Sequence, residues 1–144
     1  MPPPGIAFHG SPVMKNHRRW SAFTLFLVAA LAAANDPPVS IVIPGKILPT
    51  DARDKVRNLP GKVHAVRLTK DKTYMIDMAS TAFDAYLRIE DSAGKQLAED
   101  DDSGGNLNAR IRFVAPKDDA FLIFATSFSG GGGDYMLTIK MVEK

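Results

Sequence analysis

The sequence predicts an all-β domain, a small antiparallel β-sandwich of about eight strands, and three observations predict it. No stretch after Asn35 repeats its apolar residues with the 3.6-residue period of an amphipathic helix. Short runs that alternate apolar and polar residues recur instead. Turn-forming residues separate those runs at regular spacing. At 144 residues the chain has room for one compact domain, and the hydrophobic fraction of 45% suits an ordinary folded core.

Taken in order, Ser40–Ile43 is a first β-rich run, expected to stop at Pro44-Gly45. Residues 46–59 are irregular, with at most one helical turn starting at Pro49-Thr50-Asp51. Lys62–Leu68 places His64, Val66 and Leu68 on one face, and Thr73–Met78 does the same with Tyr74, Ile76 and Met78. Lys70-Asp71-Lys72 is the turn between them. Tyr86–Glu90 presents Leu87 and Ile89 inward. Asp91-Ser92-Ala93-Gly94 has the make-up of a tight hairpin, with Gly94 supplying a positive φ. Lys95–Glu99 returns with Leu97 inward. After the acidic, glycine-rich stretch Asp100–Asn108, the run Ala109–Val114 alternates cleanly, with Ile111 and Phe113 in and Arg110 and Arg112 out. Beyond the turn at Pro116–Asp119, Ala120–Ser127 is apolar on both faces, as a central strand covered on both sides would be. The loop Ser129–Gly133 leads to a last strand, Asp134–Met141, with Tyr135, Leu137 and Ile139 on one face.

The N-terminus has a different character. Lys15, Arg18 and Arg19 precede an apolar stretch, Ala22–Ala34, that ends in small residues. That is the order of a secretory leader, with Ala32-Ala33-Ala34 as the preferred cut before Asn35, and Ala30-Leu31-Ala32 as a second option. The apolar stretch falls short of the ~20 residues a membrane-spanning helix needs, so membrane association is expected only through an uncleaved leader. The expected organisation is therefore a leader over residues 1–34, with Met14 as a candidate start. An irregular segment with a first strand follows over 35–61, and a sandwich domain over 62–144. Secretion or a periplasmic location follows from the leader.

Charge supports the same division. The chain's net charge of +2 comes from the leader, because removing its three basic residues and no acids leaves the remainder one charge negative. A near-neutral domain has no electrostatic footprint for nucleic acid. With no cysteine, disulfide frameworks, thiolate metal sites and cysteine nucleophiles are excluded.

The stretch Phe83–Lys140 resembles the bacterial pre-peptidase C-terminal domain family. The shared features are Phe83-Asp84 before a Tyr-Leu-Arg strand, the Asp91–Gly94 hairpin, and Leu97-Ala98 leading to Asp101-Asp102-Ser103-Gly104-Gly105. They continue with Leu107-Asn108 before the Arg-rich strand, Ala115-Pro116 before a turn, and the glycine loop ahead of Tyr135-x-Leu137-Thr138. Looser similarity reaches back to Val63–Met78. The resemblance implies a jelly-roll-like sandwich that is not itself catalytic and is usually appended to secreted proteases and other exported enzymes. Some relatives bind calcium or extracellular polymers such as collagen. This chain carries no peptidase domain beside it, so it is expected to act as a stand-alone module.

The acidic loop is the main candidate for chemistry. Glu99, Asp100, Asp101 and Asp102 crowd four carboxylates ahead of Gly104-Gly105, and Asn106 and Asn108 add amide oxygens. Calcium takes six to eight oxygens from flexible loops, and Asp84 joins Asp100, Asp101 and Asp102 as a candidate ligand if the chain folds back. Tested as an EF-hand loop from Asp100, the run fails at Gly104 and at Ile111, where oxygen ligands belong. A solvated turn whose acids keep a sheet edge soluble is the competing reading. For a polymer or protein ligand, Tyr86, Asn106 and Asn108 are the candidate contacts, Tyr86 because Tyr74 and Tyr135 face inward by pattern.

Catalysis has little support. His64 is the one histidine after the leader, and it sits mid-strand among apolar residues. No G-x-S-x-G elbow occurs, and Gly130–Gly133 lacks the lysine and hydroxyl residue of a phosphate loop. The expected role is a non-catalytic binding module for an extracellular or envelope protein or polysaccharide, calcium-assisted if the loop holds a cation. The alternative is a structural part of an envelope assembly, with a hydrolase as a remote third.

Overall fold

A computed structural model describes residues 40–143; the expected leader and its expected cleavage sites lie outside them. The described residues form eight strands and no helix: β1 (Ser40–Ile47), β2 (Gly61–Leu68), β3 (Thr73–Ala79), β4 (Ala85–Glu90), β5 (Gln96–Asp100), β6 (Ala109–Val114), β7 (Asp119–Ser127) and β8 (Gly133–Val142). They build two four-stranded sheets, ordered β1-β8-β3-β6 and β2-β7-β4-β5, antiparallel throughout. Only the β4–β5 hairpin joins neighbours within a sheet; every other connection crosses to the opposite sheet.

Period-two alternation decides which side chains fill the space between the sheets. Ile76, Met78, Leu87, Ile89, Ile123 and Leu137 are fully buried there, and Phe113 meets Phe121 edge-on at 5.3 Å. Each such side chain stabilises the fold by about 1.5–3 kcal/mol relative to exposure. The inward sets expected for Lys62–Leu68, Thr73–Met78, Ala109–Val114 and the last strand are the observed ones. Gly94 has the expected positive φ of 83° in the β4–β5 turn. A bulge between Ile89 and Glu90 shifts the register of that hairpin.

Two expectations are corrected. The first strand does not stop at Pro44-Gly45 but runs through both to Ile47, paired with Met136 and Tyr135 of β8. Proline is tolerated because β1 is an edge strand. Gly45 is required by its neighbour: a Cβ there would lie 2.2 Å from Cζ of Tyr135. The second correction concerns β4, all six residues of which are buried although alternation predicts an exposed face. The covering layer is the segment between β1 and β2. It crosses the outer surface of the second sheet as a strap and is fastened there by ion pairs.

Candidate functional site

The end of the sandwich that carries Asp84 and the β5–β6 loop is assembled by a small set of hydrogen bonds. Asp100, the last residue of β5, accepts from Ser103 N–H at 3.0 Å, from Arg110 N–H at 2.8 Å, and from the Ser103 hydroxyl at 2.5 Å. Within the loop, Gly104 N–H donates to the Asn108 carbonyl at 2.8 Å, and Asn108 N–H returns to Gly105 at 3.0 Å. A Cβ on Gly104 would lie 2.6 Å from that Asn108 oxygen, so the tight turn needs glycine. Asn108 Oδ1 accepts from Ser80 N–H at 3.0 Å, and Ala85 N–H donates to the Leu107 carbonyl at 2.9 Å. These two bonds fasten the loop to the β3–β4 connection, which carries Asp84.

The tip of this loop is strained and apolar. Gly105, Asn106 and Leu107 all have positive φ, at 75°, 53° and 62°. Left-handed backbone costs a non-glycine residue on the order of 1–2 kcal/mol. Leu107 spends that energy while its side chain stays 56% exposed.

Asp84 precedes Ala85, whose N–H holds the Leu107 carbonyl. The Asp84 Oδ1 is buried with no hydrogen-bond partner among the described residues. Burial raises the Asp84 carboxyl above the ordinary carboxylate range, and the negative charges of Asp102 and Asp101 raise it further. The fold therefore brings Asp84, Asp101 and Asp102 into one negative field.

The candidate ligand residues separate into two groups. Asp84, Asp101, Asp102 and Asn106 are free of side-chain partners among the described residues. Asp100 and Asn108 are committed to holding the loop. Tyr86 is not the exposed aromatic that its position suggests. It is buried, its hydroxyl donates to Glu99 Oε2, and the Arg57 guanidinium covers its ring at 4.8 Å. Burial and the Glu99 carboxylate push its phenol well above the ordinary value. Both Asp100 oxygens are taken by protein donors, and no three His, Cys, Asp or Glu side chains gather at ligand spacing among the described residues.

Two polar clusters elsewhere escape sequence reading. Under the strap, Arg88 is fully buried, pairs with Asp54 and Glu90, and lies 4.0 Å over the Phe124 ring. Lys55 adds an ion pair to Glu90 at 2.8 Å. Burial opposes ionisation of Asp54, but the amides of Arg57 and Val56 and the Arg88 guanidinium outweigh it and lower its pKa. The strap residues 54–58 are shaped for this: Asp54 accepts from the amides of Val56 and Arg57, and Asn58 closes the turn at a φ of 55°. The one sequence signal for the cluster is an arginine flanked by strand residues, with its partner 34 residues away.

Between the sheets, His64 Nε2 meets the Tyr135 hydroxyl at 2.7 Å. Burial, aided by Lys62, lowers the pKa of His64, and burial with the Asp51 charge raises Tyr135 to about 12. His64 is thus a neutral, partnered bridge between β2 and β8.

No family model matches this sequence, and no curated protein does. Solved structures do. The chain is similar to PliG of Aeromonas hydrophila, a periplasmic lysozyme inhibitor of g-type lysozyme, with a TM-score of 0.53 and 10% identity over 72% of this chain and 86% of that one. It is similar to the pre-peptidase C-terminal domain of collagenase from Bacillus anthracis, with a TM-score of 0.53 and 15% identity over 74% of this chain and 99% of that one. At these identities the likeness is one of fold: this chain shares an all-β sandwich with a pre-peptidase C-terminal domain and with a lysozyme inhibitor.

Proposed function

We propose that this chain is an exported, non-catalytic binding module of jelly-roll-like form, which uses its acidic loop end to hold a basic group of an extracytoplasmic protein or polymer. The observation that carries the reading is Asp84, a carboxylate with a buried oxygen left without a donor and two like charges beside it. Native folds rarely leave such a group unpaired, and in this reading an incoming donor pairs with the Asp84 carboxylate. Leu107, held outward on left-handed backbone, offers an apolar contact next to that charge, and strained backbone concentrates at functional sites. A lysine or arginine side chain with its apolar stem matches both features.

Export rests on the leader-like order of residues 15–34. The non-catalytic reading draws on His64, the one histidine after residue 34, whose Nε2 is engaged by the Tyr135 hydroxyl. The inhibitor among the structural neighbours shows that this fold serves non-catalytic protein recognition in another chain, which is support by analogy of fold. Direct binding is tested by titrating the protein with a synthetic peptide of alternating lysine and leucine at physiological salt. The expected result is binding that weakens about tenfold or more in Asp84→Asn/Asp102→Asn, one charged hydrogen bond being worth about that factor. Equal affinity for both proteins, or none for either, contradicts the proposal.

A further inference from the structure

Phe128, the first residue beyond β7, keeps 39% of its surface exposed. Its backbone is pinned on both sides. The Phe128 N–H donates to the Asp84 carbonyl at 2.9 Å, and the Phe128 carbonyl accepts from the Arg57 guanidinium. An exposed aromatic already held in place costs a ligand little ordering entropy.

One peptide unit sets where Phe128 stands relative to the loop end. The Asp84 carbonyl and the Ala85 N–H belong to the same trans peptide, so they point in opposite directions. The carbonyl meets Phe128 and the N–H meets Leu107, each at 2.9 Å. Phe128 therefore lies on the β7 side of β4 and Leu107 on the other side, with Asp84 between them. Two exposed apolar side chains thus flank a carboxylate whose Oδ1 is buried and unpaired among the described residues.

The Phe128 ring is poorly suited to a second cation. The Arg57 guanidinium already lies 4.4 Å from its centroid and 4.8 Å from that of Tyr86. A ligand cation on that ring would meet like charge, whereas at Asp84 it meets the negative field of Asp84, Asp101 and Asp102. The exposed part of Phe128 is left for an apolar group.

Building on the reading of Asp84 proposed above, we infer that Phe128 is a specificity-determining contact of the loop end. The site then takes a protein segment in which a lysine or arginine stands between apolar residues, and not a basic polymer without apolar side chains. Leu107 on one side and Phe128 on the other shield the charge pair from water, as the rim of a recognition surface does for its central contact.

Two peptides of equal charge decide between these partners, one alternating lysine with leucine and one alternating lysine with serine. Each is titrated against the full chain at physiological salt. Wild type is expected to bind the lysine–leucine peptide about tenfold or more tightly, because only its side chains bury apolar surface on Phe128 and Leu107. Phe128→Ala and Leu107→Gly are each expected to weaken that peptide several-fold and to leave the lysine–serine peptide unchanged. Phe128→Leu, which stays apolar, is expected to keep most of the preference. Equal wild-type affinity for the two peptides points to a basic polymer and overturns the inference. So does a Phe128→Ala variant that weakens both peptides alike or neither. In those cases loss of both peptides in Asp84→Asn/Asp102→Asn leaves the proposed function standing. A wild type that binds neither peptide removes the proposed function and the inference together.

Discussion

Arg88 shows how much a single side chain can hide. A buried guanidinium is tolerated only while both of its carboxylate partners are present, and Asp54 is the partner supplied by the strap. Asp54→Ala is expected to cost about 3–5 kcal/mol, read as a fall in urea midpoint at constant slope, because it strands a buried charge. A cost below about 1 kcal/mol would mean that water and the remaining Glu90 carboxylate suffice for the Arg88 charge. His64 makes a second residue-level prediction. Its folded pKa lies below its unfolded value of 6.5, so the unfolded chain binds the proton first as pH falls. Its contribution is complete above pH 6.5 and erodes below it. The melting temperature is expected to fall between pH 7 and 5, and His64→Gln to flatten that fall. A wild-type profile flat over this range would show that His64 does not control stability there. Neither residue's role was legible in the sequence. Alternation marks His64 as inward-facing, yet its partner Tyr135 is 71 residues away.

Among the elements, strands with a clean period of two were legible almost to the residue, because burial against the opposite sheet dictates the alternation. Elements decided by an interaction outside their own strand were not. Pro44-Gly45 read as a stop, yet β1 needs Gly45 beneath the Tyr135 ring. Gly45→Ala is expected to destabilise by about 1–3 kcal/mol by forcing that ring out of place. A neutral effect would show that Tyr135 shifts freely. Tyr86 read as outward-facing, correctly as to direction, but the strap and Glu99 close over that face. In the acidic loop, composition identified the segment while geometry sorted its members. Asp100 and Asn108 build the loop, and the proposed binding draws on Asp84, Asp101, Asp102 and Leu107. Since Leu107 sits at positive φ, Leu107→Gly is expected to raise the melting temperature while weakening peptide binding. A lowered melting temperature would show that the Leu107 side chain stabilises the loop.

At the scale of the whole molecule, the sandwich keeps the sources of its stability apart from the loop end proposed for recognition. Stability resides in the intersheet core and the ion pairs under the strap, whereas the loop end carries features that detract from it. Acid should reveal the division. Asp54 has a lowered pKa, so its contribution is present above its unfolded value of 3.8 and is lost as pH falls below that. Asp84 has a raised pKa and the opposite sign. Its contribution is complete below 3.8 and is lost as pH rises through its folded value, so at neutral pH its ionised form is a burden. The most direct measurement is therefore thermal unfolding of wild type and Asp84→Asn at pH 7 and again at pH 3.5. Asp84→Asn is expected to melt at the same or a higher temperature at pH 7, with any gain shrinking at pH 3.5, and to bind the peptide more weakly than wild type at pH 7. A variant that melts several degrees lower at pH 7 would make Asp84 a structural residue and contradict the proposal that its charge is held for a ligand.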